Sequence, residues 1–130
     1  MTDPLFLTLA EVVDIHNDQL KRYGGKDGAR DLGLLESAIS VPQSGFGGKF
    51  LHSSLFEMAA AYAFHISENQ PFVDGNKRTA LAAALIFLEM NGISVKDPKS
   101  RLYDAIMDLA THRLDKKALA ALLKDLTGTG

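Results

Sequence analysis

Two segments of this chain, Leu55 to about Ser67 and about Asn76 to Met90, are apolar on nearly every face of a helix. The first carries Leu55, Phe56, Met58, four alanines, Tyr62, Phe64 and Ile66. Helices that are greasy all round belong at the centre of a domain, so the rest of the chain is expected to fold around this pair. The segment joining them is their opposite in character. Residues 70–79 read Gln-Pro-Phe-Val-Asp-Gly-Asn-Lys-Arg-Thr, which sets a carboxylate, a glycine, an amide and two cations at consecutive positions, Asp74 to Arg78. Pro71 bars Gln70 from the helical region and Gly75 breaks any continuation, so the segment is a loop.

Asp-Gly is a common turn pair, and Lys-Arg pairs ordinarily serve solvation. A charged loop between two buried helices asks for more than that. The first turn of a helix presents N–H groups without intrahelical partners at the positive end of the macrodipole, and so attracts anions. Gly75 lets backbone approach a ligand, Lys77 and Arg78 add full charges, and Asp74 at the lip is a candidate metal ligand. A Walker A loop is excluded, because position 70 is Gln, Asn76 precedes Lys77, and the element before the loop is helical.

The remaining elements follow from local signals. Thr8 and Glu11 make a capping-box pattern for a helix over 8–23, with Val12, Ile15, Leu20 and Tyr23 near one face. Asp31 is the N-cap of a short helix that ends before Pro42 and carries Leu34, Leu35, Ala38 and Ile39 as its stripe. Residues 42–51, with three glycines and two phenylalanines, are either a connector or a mobile flap. Ser54 and Glu57 repeat the capping-box pattern ahead of the first central helix, and Asn91-Gly92 stops the second. Ile93–Val95 suits a brief extended piece. Pro98 and Ser100 start a helix to about Thr111, and Asp115 caps a last one whose Leu119, Leu122, Leu123 and Leu126 face the core before Gly128. The expectation is one compact all-α domain over 1–130, with about six helices and the motif loop between the two central ones.

Composition narrows the function. A net charge of −2 supplies no basic field for nucleic acid or an anionic membrane, so any cationic site is local. The absence of cysteine excludes disulfides and thiolate metal sites and is compatible with the cytoplasm. Neither a signal peptide at Met-Thr-Asp-Pro-Leu nor an apolar run long enough to span a bilayer is visible.

Pro-Phe-Val-Asp-Gly-Asn-Lys-Arg-Thr-Ala at 71–80 resembles the signature of the Fic/Doc superfamily, His-Pro-Phe-x-(Asp/Glu)-(Gly/Ala)-Asn-(Gly/Lys)-Arg, in its Doc, or death-on-curing, form. His16, Tyr23-Gly24-Gly25 and Arg30 to Ala38 are similar to the family as well, so the likeness runs from about residue 5 to residue 126. It implies a Fic-type fold and a toxin of a toxin–antitoxin pair, restrained by a Phd-like antitoxin. By the same resemblance the toxin transfers a phosphoryl group from ATP to a hydroxyl of translation elongation factor Tu and halts translation. Most Fic relatives instead transfer AMP. Carried over by position, Phe72 anchors the loop and Asp74 holds Mg²⁺ or orients phosphates. Gly75 and Asn76 supply an anion nest, and Arg78 neutralises a phosphate. Lys77 stands where AMP-transferring members have a small residue, which favours the kinase form. Loop 42–51 and the turn at 26–31 would cover the bound protein segment.

The family's base, a histidine, is replaced by Gln70. An amide only hydrogen-bonds and cannot take up a hydroxyl proton. Three readings follow: a substitution made to tolerate a toxic protein, a natural nucleotide- or antitoxin-binding pseudoenzyme, or transfer of the proton to another group. His65 on the preceding helix should point elsewhere, His16 lines the core of the first helix, and His52 and His112 lie in no motif. No two histidines have metal-ligand spacing on one helix, which argues against zinc.

Overall fold

The computed structural model describes residues 3–127. Among them the chain forms α1 (Leu9–Tyr23), α2 (Leu32–Ser40), a hairpin of β1 (Gly45–Phe46) and β2 (Lys49–Phe50), α3 (Leu55–Asn69), α4 (Asn76–Met90), α5 (Arg101–Ala110) and α6 (Lys116–Asp125). The fold is all-α apart from that hairpin, and no described helix is long and apolar enough to cross a membrane. Gly128, read as the stop after the last helix, lies outside the described residues.

As expected from their composition, α3 and α4 form the centre. α3 touches α2, α4, α5 and α6, and α4 touches α1 and α5 as well. Small side chains set their spacing: Ala59, Ala60 and Ala63 of α3 and Ala80, Ala83 and Ala84 of α4 are fully buried. Large rings fill what remains, with Tyr62 against Phe87 at 5.1 Å between centroids. The Tyr62 hydroxyl accepts from the Leu7 backbone N–H at 2.9 Å, and burial pushes its pKa up to about 12. The extended N-terminal segment is tied down a second time, because Asn91 accepts from Leu5 N–H at 2.9 Å and donates to its carbonyl at 3.0 Å.

The local signals mostly hold. Thr8 and Glu11 form the full reciprocal capping box, and Asp31 and Asp115 each cap their helix by accepting from the backbone three residues on. Two expectations are corrected, those for Ser54 and Tyr23, and two are sharpened. Only half of the box at Ser54 forms, since Ser54 caps Glu57 N–H while the Glu57 carboxylate reaches the backbone and hydroxyl of Ser53. Asp97, not Ser100, caps α5, accepting from Arg101 and Leu102 N–H at 2.8 Å each, while Ser100 sits at φ 53 and caps nothing. Ile93–Val95 lies in no helix and pairs with no strand; the two short strands lie at 45–50, where Gly45 leaves no room for a side chain because a Cβ would fall on the Lys49 carbonyl oxygen. Tyr23 is not part of the apolar face of α1 but is exposed.

One polar cluster is enclosed where α6 meets α3. The Lys116 ammonium donates to His65 Nε2 at 3.1 Å and toward His52 Nε2 at 3.4 Å. Burial and the Lys116 charge push His65 down to about 4 and lower His52 as well. His65 therefore points at α6, away from Gln70, as the sequence implied. Both imidazoles protonate more readily unfolded, near 6.5, so the unfolded chain binds the extra protons and the native state loses stability as pH falls from about 6.5 toward about 4. Thermal unfolding followed by circular dichroism should show Tm declining through that window, and Lys116→Met should make the decline shallower. A Tm flat from pH 7 to 4.5 would contradict it.

Candidate functional site

The loop between α3 and α4 is held by three sets of bonds. Asn76, the first residue of α4, turns its side chain back: Oδ1 accepts from Phe72 N–H and Nδ2 donates to the Phe72 carbonyl, both at 3.0 Å. The Phe72 ring is 2% exposed and lies flat on His16, with centroids 3.7 Å apart and planes within 5°. His16 Nε2–H in turn donates to the Asp74 carbonyl at 2.8 Å. The third set comes from residues 28–31. Arg30 and Asp31 N–H donate to the Pro71 carbonyl, and Val73 N–H to that of Gly28.

Arg30 also closes the end of α3. Its guanidinium donates to the carbonyls of Gln70 at 2.8 Å and Asn69 at 2.9 Å, supplying a cation at the negative end of the helix. Gln70 is the C-cap and adopts φ 47, ψ 58. Pro71 bars the right-handed helical region from Gln70; the left-handed turn satisfies that steric ban while the Gln70 N–H still reaches the Ile66 carbonyl.

Gly75 at φ 76 is the N-cap of α4 and gives that helix no side-chain cap. A Cβ there would make only ordinary contacts with Leu20 and His16, so it is the left-handed backbone that calls for glycine. Asn76, being spent on Phe72, offers only backbone to a ligand, so the nest expected of Gly75 and Asn76 is a backbone one, the N–H groups of the first turn. Lys77 and Arg78 are exposed beside it, and Arg78 lies over the Tyr23 ring at 4.6 Å, which accounts for the exposed tyrosine. The Asp74 carboxylate accepts from Gly75 N–H at 2.9 Å and Lys26 N–H at 3.2 Å. These two backbone donors, helped by the Lys26 and Arg78 charges, hold its pKa below the usual carboxylate value. Gly25 makes this approach possible, since a Cβ on it would sit 3.0 Å from Asp74 Oδ2.

All six residues singled out from the sequence, Gln70, Asp74, Gly75, Asn76, Lys77 and Arg78, line one cleft of about 630 Å³. Its opposite wall is α5 and the turn after it, through Tyr103, Ile106, Met107 and His112. Sequence reasoning missed that wall, together with Ser67 and Glu68 on the last turns of α3. The Ser67 hydroxyl is buried without a hydrogen-bond partner, and so is that of Thr79. Residues 26–31 pack on the loop as described, but no residue of 42–51 lines the cleft. Phe50 instead packs on Phe6, and Phe6 on Phe87; Phe87 lies about 16 Å along α4 from Asn76 at 1.5 Å per residue. The hairpin thus stands at the far end of the central pair.

Residues 6–88 match the Fic/DOC family. The chain is similar to the protein kinase doc of Escherichia phage P1, with 34% identity over 119 residues that cover 92% of this chain and 93% of that protein. It is also similar to the toxin Doc of Mycolicibacterium smegmatis, with 38% identity over 103 residues covering 78% of this chain and 79% of that one.

The two bonds from Asn76 leave the Phe72 peptide groups with no other partner once removed. Asn76→Ala should lower stability by about 1–3 kcal/mol, the usual penalty for stranded buried polar groups, measured by urea denaturation. Amide exchange should accelerate at Phe72 and Val73 while the middle of α3 stays protected.

Proposed function

This chain belongs to the Fic/DOC family, and on that premise we propose that it is a Doc-type toxin that transfers the γ-phosphoryl group of ATP to a hydroxyl of a protein target. The observation that carries the reading is the start of α4: a helix N-terminus with no capping side chain, flanked by Lys77 and Arg78, opening on a cleft of about 630 Å³. That volume lies within the range of small-molecule sites.

The residues present fit a nucleotide and its cation. Backbone N–H groups at the first turn of α4 and the two cations face the cleft, and the Ser67 hydroxyl is a buried polar atom still in want of a partner. Asp74 is the single carboxylate of the motif, and no cluster of three metal-binding side chains exists among the described residues. One carboxylate completed by phosphate oxygens is the ordinary way of holding Mg²⁺. Bound there, Mg²⁺ supplies charge neutralisation on the phosphates. The chain's own part is positioning. Phosphoryl transfer passes through a loose transition state, so fixed donors and cations provide most of the catalysis. Asp74 is kept ionised by its two backbone donors, Lys26 and Gly75 N–H, Arg78 is steadied by Tyr23, and the N–H groups that follow Gly75 cradle phosphate. Lys77, long and charged, occupies room at the helix start and favours phosphoryl over AMP transfer.

Translation elongation factor Tu as target, inhibition of translation as outcome, a Phd-like antitoxin as partner and a cytoplasmic setting complete the proposal. The names of the relatives, a protein kinase and a toxin, support it. One observation favours a second reading. Gln70 cannot accept a proton, so a module that binds nucleotide or antitoxin without chemistry has the same face.

Gln70→His should raise transfer of label from γ-³²P-ATP to protein in a bacterial extract, by up to about 10²–10⁴-fold, the usual contribution of a general base, where no other group already accepts the proton. Its expression should also arrest growth. Label carried from α-³²P-ATP would indicate AMP transfer instead. Tight ATP–Mg²⁺ binding by calorimetry, with no transfer before or after the change, would leave the binding module standing.

A further inference from the structure

Position 70 lacks a base, yet the same cleft holds an imidazole that no role above employs. His112 Nε2 and Glu68 Oε2 are 2.8 Å apart, and both residues line the cleft with the motif loop. Glu68 sits on the last turn of α3, two positions before Gln70. His112 comes from the turn after α5, across the cleft. Nothing in the sequence joins these residues, which are 44 positions apart.

The geometry assigns one ring hydrogen. A carboxylate only accepts, so Nε2 carries the hydrogen shared with Glu68, and in the neutral ring Nδ1 is left as a lone-pair acceptor. A carboxylate holding one ring nitrogen so that the other takes a proton is the orienting device of acid–base triads. The backbone at His112 is unusual too. It adopts φ 63 in the position that closes α5, where its N–H bonds Leu109 and the next two residues bond the Asp108 carbonyl. Helices mostly place Gly or Asn there. With side-chain exposures of 62% for His112 and 44% for Glu68, neither group is spent on packing.

We propose that His112, oriented by Glu68, is the proton acceptor of this chain, doing across the cleft what a histidine at position 70 does in relatives that carry one. The inference rests on the phosphoryl-transfer reading above. In the step, the target hydroxyl oxygen bonds the γ-phosphorus of ATP, and the bond from that phosphorus to the β–γ bridging oxygen breaks. ADP leaves with the electron pair, and the hydroxyl proton passes to His112 Nδ1. Glu68 is a positioning residue, and Gln70 contributes a hydrogen bond at most.

The test compares five forms of the full chain: unaltered, His112→Ala, Glu68→Gln, Gln70→His, and Gln70→His with His112→Ala. Transfer from γ-³²P-ATP to protein in a bacterial extract is read for each. The unaltered chain should transfer label, and His112→Ala should lower its rate by about 10²-fold or more, with ATP–Mg²⁺ affinity by calorimetry unchanged. Glu68→Gln should lower kcat too, with KM for ATP unchanged, because an amide oxygen still accepts from Nε2–H but brings no charge to stabilise the ring once it has taken the proton. With histidine at position 70, removing His112 should change the rate by less than about threefold, because the proton has another acceptor. An unaffected His112→Ala rate, or an equal loss in both backgrounds, overturns the proposal. So does transfer by Gln70→His with none by the unaltered chain, an outcome that leaves the phosphoryl-transfer reading intact. Transfer by none of the forms removes both.

Discussion

The cleft depends on one side chain turned the wrong way for a helix cap. An asparagine at the start of a helix ordinarily sits at the N-cap and satisfies a free N–H, which is worth about 0.5–2 kcal/mol. In α4 the asparagine stands one place later, at Asn76, and bonds both peptide groups of Phe72 instead. Two things follow together. The loop is pinned, with the Phe72 ring driven onto His16, and the helix start is left with donors that nothing in the chain consumes. The stability that a cap contributes elsewhere is replaced here by stability of the loop. What remains exposed is a patch of oriented N–H groups, which is the physical requirement for holding an anion.

Around that patch the charges are arranged at short range. The chain carries a net −2, so its overall field does not draw in a polyanion; the attraction is built from groups within reach of the cleft. Lys77 and Arg78 lie at the mouth, Tyr23 steadies Arg78 from α1, and Arg30 is turned away from the cleft to bond the last carbonyls of α3. Arg30 matters for a further reason. Without a cation on those carbonyls, the negative end of α3 would stand beside the positive start of α4 and cancel part of what the helix start offers a phosphate. Asp74 tolerates its place among these groups because two backbone N–H donors stabilise its charge.

What the sequence made legible was whatever is encoded within a few positions. The Thr8–Glu11 box, the Asp31 and Asp115 caps, the two all-apolar helices and the run from Asp74 to Arg78 are all local patterns, and each was found where expected. What escaped was made by the tertiary fold. The bond from His16 to Asp74 spans 58 positions, that from Arg30 to Gln70 spans 40, and the Glu68–His112 pair spans 44. His16 was read as a core residue, and it is buried, but its place directly under the motif has no signal in its own helix. Gln70 shows a subtler limit. The steric rule for a residue before proline removes the right-handed helical conformation without choosing among the others, and the choice was made by a hydrogen bond to Ile66.

The two walls of the cleft differ in how they are held. The motif wall belongs to the central pair: its loop is bonded to α1 and to residues 28–31, and Phe72 and Thr79 are buried against it. The facing wall is α5, whose inner residues Leu102, Ile106 and Leu109 are buried while Tyr103 and Met107 remain exposed. An amphipathic helix anchored along one stripe has fewer contacts to lose than a helix buried all round, so local opening is easier there. The motif side of the cleft is therefore the stiff one and the α5 side the softer. His112 sits where these meet, at the end of α5 but bonded to Glu68 of α3. That bond adds a polar contact between the two walls near Gln70, on top of the apolar packing of Leu102, Ile106 and Leu109 that anchors α5 to the core.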